Sequence, residues 1–262
     1  MSSERDPLVV QGDAGKNRPG NFYEEYIQPC LAELVAMTLF VFVGTMSVFD
    51  TVSPTPDTPA STVAVALAHG LAITTLVVVI GPISGGHINP AVTLAMVLTR
   101  EMKPVLAAGY FVCQIIGALL GATFTRSVLG DAKYQLIGGG AHTLGDGVEP
   151  GQGVLCEILL TTVLILVILH VAVDPKTQNP LAPLAIGFAV SVDILAGISV
   201  TGASMNPARS FGPAVVISVF EPKFWDYHYI YWVGPFLGSV VAAVIYKFVT
   251  ADKSKRLVFK RD

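Results

Sequence analysis

Charge is what this chain has least of. Of its 262 residues, 13% are Asp, Glu, Lys or Arg, against about 25% in soluble domains. The scarcity is concentrated. Residues 61–80, 104–125 and 227–246 carry no charge, 30–49 hold only Glu33, 150–173 only Glu157, and 179–220 only Asp193 and Arg209. A soluble core protein is excluded on this ground. Cysteine is also scarce: Cys30, Cys113 and Cys156 lie in apolar tracts with neither metal-ligand spacing nor a disulfide framework, so they read as small packing residues. None of Asn17, Asn21, Asn89, Asn179 and Asn206 begins a glycosylation acceptor. The first 28 residues have no apolar run of secretory type, so the first apolar tract is expected to serve as its own insertion signal.

What is present is long apolar sequence. A helix needs about 20 apolar residues to cross a bilayer, and six segments qualify: about 30–49, 61–80, 104–125, 152–173, 181–200 and 228–247. The expected fold is an all-α membrane protein. Residues 1–28 and 251–262 read as polar tails flanking one channel-forming domain, 29–250. With six spans, one face collects Arg5, Lys16, Arg18, Arg100, Lys103, Lys176, Lys247, Lys253, Lys255, Arg256, Lys260 and Arg261, and the other only Arg126, Lys133 and Lys223. The positive-inside rule then puts both termini in the cytoplasm.

The chain also repeats. Asn89-Pro90-Ala91 and Asn206-Pro207-Ala208 lie 117 residues apart. Gly70 and Gly187 each precede their Asn by 19 residues, Gly85 and Gly202 by four; Gly117 and Gly234 follow by 28, Gly121 and Gly238 by 32. The units, about 30–127 and 152–249, each hold three spans and one half-length apolar segment, Asn89–Leu98 or Asn206–Val219. Three spans are an odd number, so the second unit enters from the opposite face and the repeats are inverted. The paired Gly-x-x-x-Gly spacings permit close helix crossing.

Asn caps a helix and Pro suits its first position, so each motif starts a short re-entrant helix. Inversion brings the two starts together near the bilayer centre. Irregular backbone at that depth needs a cavity to line or protein to cover it. Two helix N-termini place about half a positive charge each at one point, and Asn89 and Asn206 add NH₂ donors there. A passing water accepts from both and turns its hydrogens outward, a site suited to neutral molecules and hostile to protons and cations. Arg209, three residues into the second short helix, is an intramembrane charge and by default faces a cavity. His69, Ile194 and Ala203 can reach its level and form a constriction with it. Glu33 and Glu157 read either as proton-relay carboxylates or, preferably, as acceptors for the loop backbone of their own repeats. His87 is expected to brace the first turn, and the role of Asp193 stays open.

These residues resemble the aquaporin (major intrinsic protein) family over about residues 28–250, through the paired motifs, Ser84-Gly85-Gly86-His87 and Arg209. The resemblance implies six transmembrane helices, two re-entrant half-helices and a homotetramer with one pore per subunit. It assigns His69, Ile194, Ala203 and Arg209 to the family's aromatic/arginine filter. Ser210 stands where glycerol-conducting members usually have Asp. Water-specific members usually have Phe at the place of His69 and His at that of Ile194. A closer resemblance, to one subgroup, rests on Ile27-Gln28-Pro29-Cys30-Leu31, Ala66–Ala72, Gly187–Val190, Val192–Gly197 and Phe211–Val216. It implies conduction of water, ammonia and hydrogen peroxide, with Ala203 where Gly is common. The expected function is a passive channel in the plasma membrane or an intracellular one. The alternatives are a strictly water-selective channel, a proton-coupled transporter using Glu33 and Glu157, and a closed-pore scaffold. This reading has no catalysis, cofactor, metal or nucleic-acid partner.

Overall fold

The computed structural model describes residues 21–52 and 59–257, and all regular structure among them is helical. Arg5, Lys16, Arg18, Lys260 and Arg261 lie outside the described residues. The α-helices are α1 (Gln28–Val52), α2 (Pro59–Ser84), α3 (Pro90–Leu98), α4 (Pro104–Leu129), α5 (Asp131–Leu136), α6 (Pro150–Ile168), α7 (Ala182–Thr201), α8 (Pro207–Ile217) and α9 (Ile230–Ile245). Six helical segments are long and apolar enough to span a membrane: Tyr23–Phe49, Ser61–Ser84, Pro104–Leu129, Pro150–Val173, Ala182–Thr201 and Pro222–Thr250. Most run past the expected limits. Apolar runs mark the hydrocarbon core, whereas a helix continues into the interface, where water can satisfy its end groups.

Leu31, Val35, Leu39 and Val43 show how the spans are built, forming an exposed apolar stripe along α1. Where helices cross, glycines let the backbones approach. The repeats mirror each other: α1 packs on α4 as α6 packs on α9, and α2 crosses α7 at the junction between them. At that crossing a Cβ on Gly70 would collide with the Gly187 carbonyl, and one on Gly187 with the Gly70 carbonyl. A Cβ on Gly117 or Gly121 would strike the α1 backbone, and one on Gly234 or Gly238 would strike α6.

The half-helices α3 and α8 enter from opposite faces. Each packs against the last span of the other repeat, α3 on α9 and α8 on α4. The half-length segments end a little earlier than expected in the second repeat, at Ile217 rather than Val219.

On the face where α9 ends, residues 251–257 form a strap. Asp174 accepts from the Tyr246 hydroxyl (3.0 Å) and the Asp252 amide (2.8 Å), and Lys255 Nζ sits 2.7 Å from both oxygens of Glu101. Burial pushes the Asp174 carboxyl up, but hydrogen bonds from Asp252, Lys176 and Tyr246 outweigh it and hold the group below its ordinary range.

Candidate pore and constrictions

Each half-helix starts as its sequence dictates, with Pro at the first turn and Asn as the cap. Asn89 Oδ1 accepts from Ala91 N (2.8 Å), whereas Asn206 Oδ1 accepts from Arg209 N one residue further along (3.2 Å). The amide nitrogens cross between repeats. Asn89 Nδ2 donates to the Met205 carbonyl and Asn206 Nδ2 to the Ile88 carbonyl, both at 2.8 Å. Each NH₂ has two hydrogens, so each Asn keeps one for the cavity. These crossed bonds were not legible in the sequence, because their acceptors are backbone atoms. Ile88 and Met205 hold φ of 50° and 53°, which costs an L-residue about 1–2 kcal/mol and turns those carbonyls toward the opposite loop.

A carboxylate steadies each strained loop. Glu33 accepts from Ser84 Oγ (2.7 Å), His87 N (2.9 Å), Ile88 N (2.6 Å) and Gln114 Nε2 (2.8 Å). Glu157 accepts from Thr201 Oγ1 (2.6 Å), Ser204 N (2.8 Å) and Met205 N (2.8 Å). The His87 ring lies 3.0 Å from Thr93 Oγ1; at the matching positions of the second repeat, Ser204 and Ser210 bond to each other. Pro90, Ala91, Pro207 and Ala208 are buried. Asp193 is buried in α7, with no partner for Oδ2 among the described residues.

Two cavities adjoin beside the half-helix starts. One, about 1130 Å³, reaches Glu101 on the face of the strap and is walled by Ile73, Val77, Val92, Leu164, Ile168 and Ile186, with Asn89 and Asn206 also lining it. The other, about 180 Å³, lies beyond and brings His69, Ile194, Ala203 and Arg209 together. Phe40, Val190, Ser204 and Met205 line both.

Arg209 is 3% exposed. Its Nη1 donates to the Gly140 carbonyl at 2.7 Å, and Nη2 and Nε lie 3.2 and 3.4 Å from His69 Nε2. His69 Nδ1 lies 2.9 Å from the Val65 carbonyl. A carbonyl only accepts and a guanidinium only donates, so His69 is the neutral tautomer with its proton on Nδ1. Its ring stands against Gly44, where a Cβ would collide with it. Gly44 and His142 went unnoticed in the sequence, and Gly140 was legible only as part of the loop that joins the repeats. His142 Nδ1 lies 2.7 Å from Ser210 Oγ and pins the outer loop behind Arg209. The run Gly138-Gly139-Gly140 was the available signal.

The major intrinsic protein family profile matches residues 23–246. The chain belongs to the major intrinsic protein (aquaporin) family. It is 41% identical to aquaporin-8 of Mus musculus over 270 residues, covering 99% of each chain, and 42% identical to aquaporin-8 of Notomys alexis, covering 92% of this chain and 88% of that one. Aquaporin-5 of Sus scrofa is 39% identical over 88% of this chain and 84% of its own. Aquaporin-8 is also the subgroup that the shorter sequence stretches resemble. The X-ray structure of the aquaglyceroporin from Plasmodium falciparum superposes with a TM-score of 0.78 over 86% of this chain and 96% of that one, at 20% identity, a likeness of fold alone. The chain is a multi-pass membrane channel of the aquaporin type, built for passive movement of water and small solutes.

Proposed function

We propose that the two cavities are one pore for water, ammonia and hydrogen peroxide that rejects protons and ions. The observation that carries this is the crossed pair Asn89–Met205 and Asn206–Ile88 at the facing ends of α3 and α8. Two positive helix ends and two spare amide hydrogens meet in the larger cavity, beside the smaller one. A water there accepts from both Asn and cannot pass a proton onward through them. A cation arriving there faces donors only.

The solute range is set by His69, Ile194, Ala203 and Arg209. Arg209 supplies fixed charge and spare N–H donors. Ile194 makes the opposite wall apolar, which admits ammonia and peroxide beside water and speaks against strict water selectivity. The carboxylates argue against a proton-coupled transporter: Glu33 has four donors around its two oxygens and Glu157 three, so they serve as loop supports together with His87 and the buried Pro and Ala of each motif. A closed scaffold has no use for two cavities adjoining beside a donor pair.

The subunits assemble as a homotetramer, as the family resemblance implies. The lysines and arginines that the six-span topology assigns to one side support a cytoplasmic location for both ends, with the plasma membrane as the host. Proteoliposomes under an osmotic step test the channel: rapid shrinkage without ion conductance is expected, with ammonia and peroxide entry measured in the same vesicles. Correctly inserted protein that leaves shrinkage at the rate of empty vesicles overturns the reading.

A further inference from the structure

The guanidinium of Arg209 has two anchors, the His69 ring and the Gly140 carbonyl. The second is a backbone atom, so its place depends on the turn that carries it. Gly138, Gly139 and Gly140 hold φ of 54°, 63° and 65°, three left-handed residues in succession, which only glycine adopts without strain. Each stands on a side chain from a different element. A Cβ on Gly138 would come 2.7 Å from Phe224 Cζ, one on Gly139 2.8 Å from Tyr134 Cζ and Oη, and one on Gly140 2.9 Å from Thr45 Cβ. Thr45 is itself held, bonded to Thr125 Oγ1 at 2.6 Å and to the Val41 carbonyl at 2.8 Å.

Tyr134 on α5 is the unexplained member. It is fully buried, packed with Ile217 and Phe224, yet its hydroxyl has no partner among the described residues. Burying such a group without a bond costs about 1–3 kcal/mol. Burial pushes the phenol above its ordinary value, against the opposing pull of Arg126 and Arg209, so it stays neutral. What the residue supplies is the bulk of its ring beneath Gly139.

We propose that Tyr134 is a positioning residue for Arg209, acting through the glycine turn, so that the outer loop 131–142 sets which solutes pass the smaller cavity. The inference rests on the proposed place of Arg209 in the filter. The Tyr134 ring fixes the height of Gly139, Gly139 fixes the direction of the Gly140 carbonyl, and that carbonyl holds Nη1 out of the solute path. Without the ring the turn can sink, the 2.7 Å bond lengthens, and the guanidinium keeps only its longer contacts to His69.

Full-length protein in proteoliposomes, with water and urea fluxes read by stopped-flow light scattering, tests this. Tyr134→Ala is expected to raise the urea-to-water permeability ratio about tenfold, the factor that accompanies loss of a charged hydrogen bond. Tyr134→Phe keeps the ring and is expected to restore the parent ratio. Arg209→Val raises the ratio by itself, and adding Tyr134→Ala to it is expected to change nothing more, since both act through one group. A parent ratio in Tyr134→Ala beside a raised ratio in Arg209→Val overturns the inference and leaves the filter intact. Full additivity in the double variant, or a Phe variant as leaky as Ala, also overturns it. A parent ratio in Arg209→Val removes the filter reading itself. If Tyr134→Ala does not insert, Tyr134→Leu takes its place: an intermediate ratio is expected, and the parent ratio counts against the proposal.

Discussion

The four residues around the smaller cavity have mates in the other repeat, displaced by the same 117 residues that separate the Asn-Pro-Ala motifs. His69 corresponds to Ile186, Ile194 to Val77, Ala203 to Gly86 and Arg209 to Val92. All four mates line the wide cavity, where they are apolar or small. The supports, by contrast, are kept in both halves: a buried Glu, a hydroxyl at Ser84 or Thr201, an Asn cap and a Pro at the first turn. A duplicated backbone therefore does not require a duplicated constriction. For a solute crossing two segments in series, the narrower and more polar one decides passage, and the other serves best by being wide. The symmetric residues hold the backbone, which under the proposed function leaves the asymmetric ones free to choose the solute.

Changes to the shared supports are expected to have the largest effect. Glu33→Gln and Glu157→Gln each turn an acceptor into a donor facing buried N–H groups. Each is expected to lose at least about 3 kcal/mol of stability in detergent unfolding. Glu33→Gln should lose more, because Glu33 meets four donors and Glu157 three. Equal or negligible losses would break the claim that the carboxylates hold the loops.

Next come the paired caps. Asn89→Asp and Asn206→Asp each put a carboxylate between the two positive helix ends. Both are expected to pass cations in patch-clamp recordings of cells with normal surface expression, where the parent passes none. A leak from one variant alone would show that the centre is not symmetric in its electrostatics.

The third comparison sets Arg209 against its mate. Arg209→Val is expected to raise the urea-to-water permeability ratio about tenfold, whereas Val92→Ala leaves the ratio where it is. A comparable rise in Val92→Ala would mean that the wide cavity also selects.

The smallest effect is expected at Ile194. Ile194→His narrows the filter and adds a polar wall. It should cut ammonia and peroxide flux a few-fold more than water flux, in line with about 1 kcal/mol for one altered contact in a pocket wall. Val77→His at the mate position should not. Stopped-flow traces for the three solutes decide it; an equal fall in all three for Ile194→His would remove Ile194 from the solute choice.

Much of the fold was legible because it follows from local rules. Charge poverty marks the six spans, Asn-Pro marks both half-helix starts, and the odd number of spans per repeat requires inversion. Glu33 and Glu157 stood out as the only charges in their tracts. Register served well until the partners ceased to be repeat mates. The Tyr110 hydroxyl bonds the Ser84 carbonyl at 2.7 Å, and the Tyr231 hydroxyl bonds Thr201 at 2.9 Å. Yet Tyr231 aligns with Gln114 and sits about one helical turn beyond the mate of Tyr110. The two helices reach the same loop position from different heights, which no spacing rule foretells.

By itself the sequence determined the number and inversion of the spans, the two caps and the intramembrane charges, since each rests on hydrophobicity, capping chemistry or the cost of charge in lipid over a short stretch of chain. Only the tertiary structure decided where Arg209 points. Its anchor is the carbonyl of Gly140, 69 residues away, its neighbour His69 is 140 residues away, and His69 in turn is placed by the space that Gly44 leaves open. A carbonyl belongs to every residue and a vacancy to none, so neither leaves a mark in the sequence until the chain folds around it.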